Sequence, residues 1–136
     1  MHTIRLRGPW DLYLPGSEQP RRVDMPATWH TLLALAADIS LPSAARLVRR
    51  FGLPTGIAPD DRLHLVLEST AACQVELNGK LLGSIAPSQP CSSFDVTALL
   101  KARNEIVISL ELPPRENMPP ESSCPVSDVR LEISHG

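Results

Sequence analysis

The segment from Cys73 to Leu112 constrains the fold most, because it combines a tight hairpin with a long strand of alternating apolar residues. Asn78-Gly79 is the pair best suited to the two positive-φ positions of a type I′ turn, so the residues before it should pair with the residues after it. From Glu105 to Leu112 every second side chain is aliphatic. This period predicts a strand with one buried face. A β-sandwich is therefore expected.

The two-residue turn also fixes the expected register of the hairpin. The predicted cross-strand pairs are Leu77 with Lys80, Glu76 with Leu81, and Val75 with Leu82. In this register Leu81 and Ile85 leave the core face, because side chains alternate between faces. Either a β-bulge near Gly83 resets the register, or those side chains contact another loop.

Other segments alternate in the same way. Strands are predicted around Ile4, Trp10 to Leu14, Ala45 to Phe51, Leu63 to Leu67 and Val129 to Ile133. Thr31 to Asp38 favours a helix that Pro42 limits, and Asp95 or Thr97 should cap a second turn that Asn104 closes in the left-handed conformation. The sequence predicts an all-β chain, a two-sheet jelly-roll β-sandwich of about eight strands with one or two short helical turns. Its length of 136 residues fits a single domain, 1–136.

The charge of the chain disfavours several classes of partner. With 13 basic and 15 acidic side chains its formal net charge is -2, so no general attraction to nucleic acid or to an anionic membrane is expected. The N-terminal residues show no export signal. No apolar run approaches the ~18 residues that a membrane helix requires. We expect a soluble, cytoplasmic protein.

Three cysteines leave at least one thiol unpaired. Cys73 shares strand parity with Val75 and Leu77, which indicates a buried free thiol. Cys91 and Cys124 both fall in loops rich in proline and serine, so a disulfide between them is an alternative. A reduced cytoplasmic protein with free thiols is the simpler interpretation.

Seven short motifs follow one another along the chain. They are G-P-W at 8–10, V-D-M-P-A-T-W at 23–29, R-R-F-G-L-P at 49–54, L-N-G at 77–79, F-D-V-T at 94–97, R-N-E-I at 103–106 and V-R-L-E-I at 129–133. In this order they resemble the N-terminal sugar-binding, jelly-roll domain of glycoside hydrolase family 2, which includes β-galactosidases and β-glucuronidases. The resemblance implies an accessory sugar-binding module, since the catalytic carboxylates of that family lie in a separate barrel.

Candidate ligand residues follow from the chemistry of sugar binding. An exposed aromatic ring stacks on a pyranose, while Asn, Asp, Arg or Glu side chains bond its hydroxyls. Trp10 and Phe51 match family positions that pack inside, and Phe94 is expected to anchor the capped turn. The remaining candidates are Trp29, His30, Tyr13 and Arg49. The structural alternatives are that Trp29 closes the core and that Arg49 forms a surface ion pair.

No arrangement of residues indicates catalysis or a cofactor. The histidines are scattered, without the spacing of a transition-metal site, and no paired carboxylates suited to glycosidic chemistry stand out. We therefore predict no catalytic residue, no cofactor and no metal ligand. A structural calcium ion remains an alternative, although no Asp-x-Asp run in the sequence indicates a site for it.

Two functions fit these observations. The first is a noncatalytic carbohydrate-binding module, which predicts an exposed tryptophan. The second is a protein-interaction or scaffold module of the same fold. It predicts buried tryptophans and an exposed apolar patch, for which Leu32, Leu33 and Leu35 are candidates. The resemblance favours the carbohydrate.

Overall fold

The computed structural model describes residues 2–39, 43–114, 116 and 118–135. Within these residues the chain forms ten strands and one helix. In chain order they are β1 His2–Arg5, β2 Gly8–Tyr13, β3 Arg21–Met25, α1 Trp29–Leu35, β4 Ser43–Gly52, β5 Arg62–Ser69, β6 Cys73–Leu77, β7 Lys80–Ile85, β8 Cys91–Asp95, β9 Arg103–Leu112 and β10 Val126–Ser134. No helix in the described ranges is long and apolar enough to cross a membrane.

The strands form two antiparallel sheets that pack face to face. One sheet has the order β1-β10-β5-β8, and the other has the order β3-β2-β4-β9-β6-β7. The predicted all-β sandwich is confirmed. Ten strands are described where about eight were expected, because β3 and β8 do not show the alternation of apolar and polar residues that predicted the others. Both are edge strands, and β8 has a single large apolar side chain, Phe94.

The core lies between the inward faces of the two sheets. The largest fully buried side chains are Trp10, Leu12, Leu32, Leu47, Leu63, Leu65, Leu67, Leu77, Ile106, Ile108, Leu112 and Leu131. Burial of each large aliphatic side chain stabilises the fold by about 1.5–3 kcal/mol relative to exposure. The predicted inward parities of the long strands β5, β9 and β10 are thus confirmed.

The hairpin between β6 and β7 contains the bulge that the sequence left open. Asn78 and Gly79 have φ of 53° and 82°, as the type I′ turn requires. Glu76 pairs with Leu81, but Val75 pairs with Gly83 instead of Leu82. The extra residue returns the C-terminal half of β7 to the core face, where Ile85 is 3% exposed.

Gly83 provides space for an aromatic ring from the opposite sheet. A Cβ atom at Gly83 would lie 3.0 Å from Cε1 of Phe94. Phe94 belongs to β8, the edge of the four-stranded sheet, whereas Gly83 belongs to β7, the edge of the six-stranded sheet. The ring therefore closes the sandwich along this side, a larger role than the anchoring of a turn expected for Phe94.

Helix α1 begins earlier than expected. Trp29 and His30 form its first turn instead of a bend, and the Thr28 hydroxyl accepts a hydrogen bond from the Thr31 amide at 3.2 Å. Leu32 is 1% exposed, while Leu33 and Leu35 are half-buried against the core. The exposed apolar patch expected on these leucines is therefore wrong. The helix uses them to close the sandwich.

A buried carboxylate joins the chain end to the loop before β5. The Asp61 side chain is 2% exposed and accepts hydrogen bonds from the Ala58 amide at 2.8 Å and from Nδ1 of His135 at 2.8 Å. The Ala58 amide, followed by the His135 side chain, holds the pKa of Asp61 below its usual range. The ionised form of Asp61 therefore stabilises the folded state.

We expect Gly83→Ala to lower the free energy of unfolding by about 1–2 kcal/mol, because the added methyl forces the Phe94 ring to move. Urea denaturation measures this loss. In a Phe94→Leu background the loss should shrink, since the shorter side chain leaves room. Gly52→Ala is the matched control, because its Cβ would meet only the Ala102 oxygen, at 3.8 Å. An equal loss in both backgrounds would contradict the packing described.

Acid should weaken the fold in part through Asp61. Its folded pKa lies below the unfolded value of about 3.9, so its contribution is complete above that value and disappears as the pH falls through the folded pKa. Urea midpoints at pH 7 and pH 3 should differ less for Asp61→Asn than for the wild type. Asp60→Asn, at the exposed neighbouring residue, should change as the wild type does; equal differences in all three proteins would refute the role of Asp61.

Candidate functional site

Trp29 does not offer an exposed ring. It is 4% exposed, and its backbone amide donates to the Ser123 carbonyl at 2.9 Å. The expectation of an exposed tryptophan is therefore wrong for Trp29, and Trp10 is 1% exposed. The structural alternative, in which Trp29 closes the core, describes its position.

His30 and Tyr13 lie at the surface, on separate parts of the domain. The His30 side chain is 73% exposed, with Nδ1 at 3.4 Å from a carboxylate oxygen of Glu121. Tyr13 is half-buried on the outer face of the six-stranded sheet, where the Arg46 guanidinium lies 5.6 Å from its ring centroid. Arg46 thus occupies one face of the only tyrosine ring in the chain.

Arg49 lies on the inward parity of β4, opposite Ile106. Its Nε donates to the Arg7 carbonyl at 3.1 Å, and burial lowers the pKa of Arg49. Tyr13 pairs with Arg46, which has the opposite parity, so Tyr13 and Arg49 point to different faces of one sheet. The four residues selected from the sequence are not brought together into one site, and their ligand roles stay predictions.

A groove of about 570 Å³ lies where β4 ends, β9 begins and the hairpin turns. We call it the hairpin groove. It is lined by Arg50, Phe51, Gly52, Asn78, Ala102, Arg103, Asn104 and Glu105. Its volume falls within the range of about 300–1,000 Å³ that is usual for small-molecule sites.

Two asparagine side chains fix the wall of the hairpin groove. Asn104 is 2% exposed, and its Oδ1 accepts from the Lys101 amide at 2.8 Å and from Nδ2 of Asn78 at 3.0 Å. Asn78 Nδ2 also donates to the Leu99 carbonyl at 3.0 Å, while its Oδ1 accepts from the Glu105 amide at 2.9 Å. This asparagine pair connects the hairpin turn, the turn before β9 and β9 itself.

The left-handed conformation expected at Asn104 is wrong. Asn78 is the non-glycine residue with positive φ in the described part of the chain, and Asn104 is a strand residue paired with Phe51. Its amide replaces a backbone cap, because Nδ2 donates to the Lys101 carbonyl at 2.9 Å and Oδ1 accepts from the amide of the same residue. The turn is closed by a side chain instead of by a special backbone conformation.

Charged side chains form the outer rim of the groove. Arg50 donates to the Glu105 carboxylate at 3.0 Å and lies 3.9 Å from Asp11. Arg103 pairs across the ladder with Gly52, which has no side chain. Arg103 therefore faces open space, and no described carboxylate lies within ion-pair distance of it.

The hairpin groove offers groups that can bond saccharide hydroxyls. They are the guanidinium groups of Arg50 and Arg103 and the carboxylate of Glu105. Phe51 also lines the groove, but it has the inward parity of β4 and packs against the core.

The interior position expected for Phe51 and the turn expected at Asn78 are supported by the structure. Sequence reasoning missed this site because it considered neither Arg103 nor Glu105 as a ligand residue. The available signal was the run Arg103-Asn104-Glu105. It places three polar residues at the start of a strand whose later residues alternate into the core.

A second groove, of about 620 Å³, lies at the opposite end of β9. It is mostly apolar and is lined by Ala44, Ala71, Ala72, Cys73, Gln74, Ser84, Ile85, Ser109, Leu110, Glu111, Leu112, Pro113 and Pro114. Cys73 is a buried free thiol, as expected, and burial raises its pKa. We call it the proline groove.

Cys91 and Cys124 do not form the disulfide considered as an alternative, since both are free thiols. Cys91 pairs with Glu68 on one side of β5, whereas Cys124 contacts Thr70 from the other side. Their positions flank one strand, which separates them by about two interstrand spacings, roughly 9–10 Å. That separation exceeds the reach of a disulfide. Within the described residues no group of three potential metal ligands lies together.

Several solved glycosidases have the same fold as this chain over part of their length. A β-glucuronidase from Faecalibacterium prausnitzii that binds FMN has a TM-score of 0.70 and 23% identity over 97% of this chain and 22% of its own. A β-mannosidase from Dictyoglomus thermophilum gives 0.75 and 15% over 99% of this chain and 23% of its own. A Bifidobacterium dentium β-glucuronidase, solved with coumarin-3-O-glucuronide, gives 0.74 and 18% over 97% and 30%.

These likenesses establish the fold. The sandwich found here matches a part of each glycosidase, and the resemblance to the family 2 sugar-binding domain is confirmed at the level of the fold. The chain spans less than a third of each of the three proteins. No family model and no curated protein sequence matches the chain.

Removing the Asn104 amide should destabilise the domain. We expect Asn104→Ala to lower the free energy of unfolding by about 2–3 kcal/mol, because it leaves buried groups near Asn78 and Lys101 without partners. Chemical denaturation gives this value. The control is Gln89→Ala, which removes one exposed amide contact, to Ala86 at 3.3 Å, and should cost about 0.5 kcal/mol or less. Similar losses in both variants would contradict a structural role for the asparagine pair.

Proposed function

We propose that this domain is a noncatalytic carbohydrate-binding module and that the hairpin groove holds the saccharide. The observation that carries the proposal is the chemistry of the groove. Two guanidinium groups, from Arg50 and Arg103, and the Glu105 carboxylate line it beside a rigid pair of asparagines. Support for a saccharide also comes from the fold, which the domain has in common with part of several glycosidases.

A noncatalytic role agrees with the carboxylates of the groove. Glycoside hydrolysis uses two carboxyl groups, held about 5–10 Å apart across the bond that breaks. Of the described residues that line the groove, Glu105 is the one carboxylate, and Arg50 holds it at 3.0 Å. Glu105 is thus suited to accept hydrogen bonds from sugar hydroxyls, and the described groove lacks the second carboxylate that glycoside hydrolysis uses.

The residues selected from the sequence define an alternative location for the same function. His30 and Tyr13 are accessible, and Arg49 has donors at the end of β4. Because Trp29 is buried, this location lacks the stacking ring that motivated it. We therefore place the saccharide in the hairpin groove and retain Tyr13, His30 and Arg49 as positions to monitor.

An amide-resolved NMR titration with methyl glycosides of glucose, galactose and mannose, with and without calcium, tests the proposal. Saturable shifts should appear at Asn78, Arg103 and Glu105 and not at the Trp29 indole. Shifts confined to Trp29, His30 or Tyr13 would move the site, and no shift with millimolar sugar would reject carbohydrate binding.

Glu105→Gln should weaken saccharide binding by roughly tenfold, because a charged acceptor becomes a neutral one and the Arg50 ion pair is lost. The matched control is Glu111→Gln, which changes an exposed carboxylate on the same strand beside the proline groove. Dissociation constants from the same titration measure both variants. Equal constants for Glu105→Gln and the wild type would exclude Glu105 from the site.

A protein-interaction module is the second candidate, favoured by two observations. Both tryptophans are buried, as this function predicted, and Leu81 is 52% exposed on the six-stranded sheet that also carries the proline groove. The proline groove offers an apolar surface, although it does not include the leucines of α1 that were expected to form an exposed apolar patch. Absence of sugar-induced shifts, together with concentration-dependent broadening of Gln74, Ser84 and Ser109 amides, would favour this function.

A further inference from the structure

The charges around the hairpin groove oppose the charge of the whole chain. The formal net charge of the protein is -2. Among the residues that line the groove, however, the two guanidinium groups of Arg50 and Arg103 stand against the single carboxylate of Glu105. Asp11 lies on the far side of Arg50 and does not line the groove. The groove is therefore a locally positive region on an acidic protein.

The excess positive charge belongs to Arg103. Arg50 has a carboxylate partner at 3.0 Å, and that bond occupies Glu105. Arg103 lies two residues before Glu105 on the same outward face of β9, and its cross-strand neighbour is Gly52. Its guanidinium makes no hydrogen bond or ion pair with the described residues. The planar set of N–H donors on the Arg103 guanidinium is therefore available to a ligand at the edge of the groove.

Arg130 shows how this chain treats an arginine whose role is structural. It bonds Glu68 at 2.5 Å, Asp128 at 2.6 Å and Glu132 at 2.8 Å on the outer face of the four-stranded sheet. That cluster raises the pKa of Arg130 and gives its guanidinium three carboxylate partners. Arg103, like Arg7, Arg22 and Arg62, has no described carboxylate within ion-pair distance, and of these four arginines it is the one that lines the hairpin groove.

From this contrast we infer that the saccharide of the hairpin groove is acidic, and that Arg103 binds its carboxylate. The inference rests on the proposed function. Bidentate guanidinium-carboxylate bonds are directional and stronger than neutral hydrogen bonds, so Arg103 selects for an acidic sugar. Arg50, Glu105 and a remaining acceptor position on Oδ1 of Asn78 are left for the sugar hydroxyls. Because Arg103 is exposed, the selectivity depends on ionic strength.

Pairs of ligands that differ only in their charge distinguish recognition of the carboxylate from recognition of the sugar ring. Methyl β-galactoside and methyl β-galacturonide differ only at C6, as do methyl β-glucoside and methyl β-glucuronide. At pH 7 and low salt we expect the uronide of at least one pair to bind about tenfold more tightly than its neutral partner. Arg103→Gln should weaken uronide binding more than neutral binding and so bring this ratio close to one. Arg103→Lys should retain part of the ratio, and 0.5 M salt should lower it severalfold. Arg22→Gln, on the opposite edge strand β3, is the control and should leave the ratio unchanged.

Each outcome decides one question. Equal binding of neutral and acidic sugars would overturn the acidic ligand and leave carbohydrate binding intact. No binding of any sugar would overturn the proposed function, and the inference with it. Acetate that shifts the Arg103 neighbourhood as strongly as the uronides do would identify a carboxylate site without sugar recognition, which also overturns the inference. A uronide preference that survives in Arg103→Gln would assign the selectivity to another residue.

Discussion

The candidate site depends on one buried hydrogen-bonded pair, Asn78 with Asn104. An asparagine that is 2% exposed needs partners for its amide, and the three nearby chain segments provide them. Two of these segments have no ladder of their own at this point, because the hairpin reverses and the turn before β9 leaves the sheet. The pair provides the hydrogen bonds that a ladder would supply and gives the groove a fixed wall beside its charged rim.

Much of the fold could be predicted from local chemistry. Asn78-Gly79 has one well-suited backbone conformation, and the aliphatic residues of β5, β9 and β10 have one face that can be buried. These features act over a few residues, so the sequence displays them directly. The two missed strands lie at sheet edges, where one side of the strand has no neighbouring strand to pair with. Residues of β8 such as Cys91 and Ser93 therefore show little of the pattern that a central strand imposes.

The candidate site was harder to predict because it depends on distant partners. Asn104 looks like a turn residue until the structure brings Asn78, 26 positions earlier, within 3.0 Å. Trp29 looks like an exposed ring because it follows a proline-rich bend, yet helix α1 begins there and buries it. Arg103 shows its free guanidinium only when Gly52 is known to lie opposite. In each case the deciding fact is a cross-strand or long-range neighbour, which residue types and spacing do not encode.

A crystal structure of the domain grown with a methyl uronide tests the central claim most directly. The account predicts density for one sugar ring in the hairpin groove, with its carboxylate on Arg103 and its hydroxyls on Arg50 or Glu105. Sugar density elsewhere on the domain, or an empty groove in crystals grown above the measured dissociation constant, would contradict it.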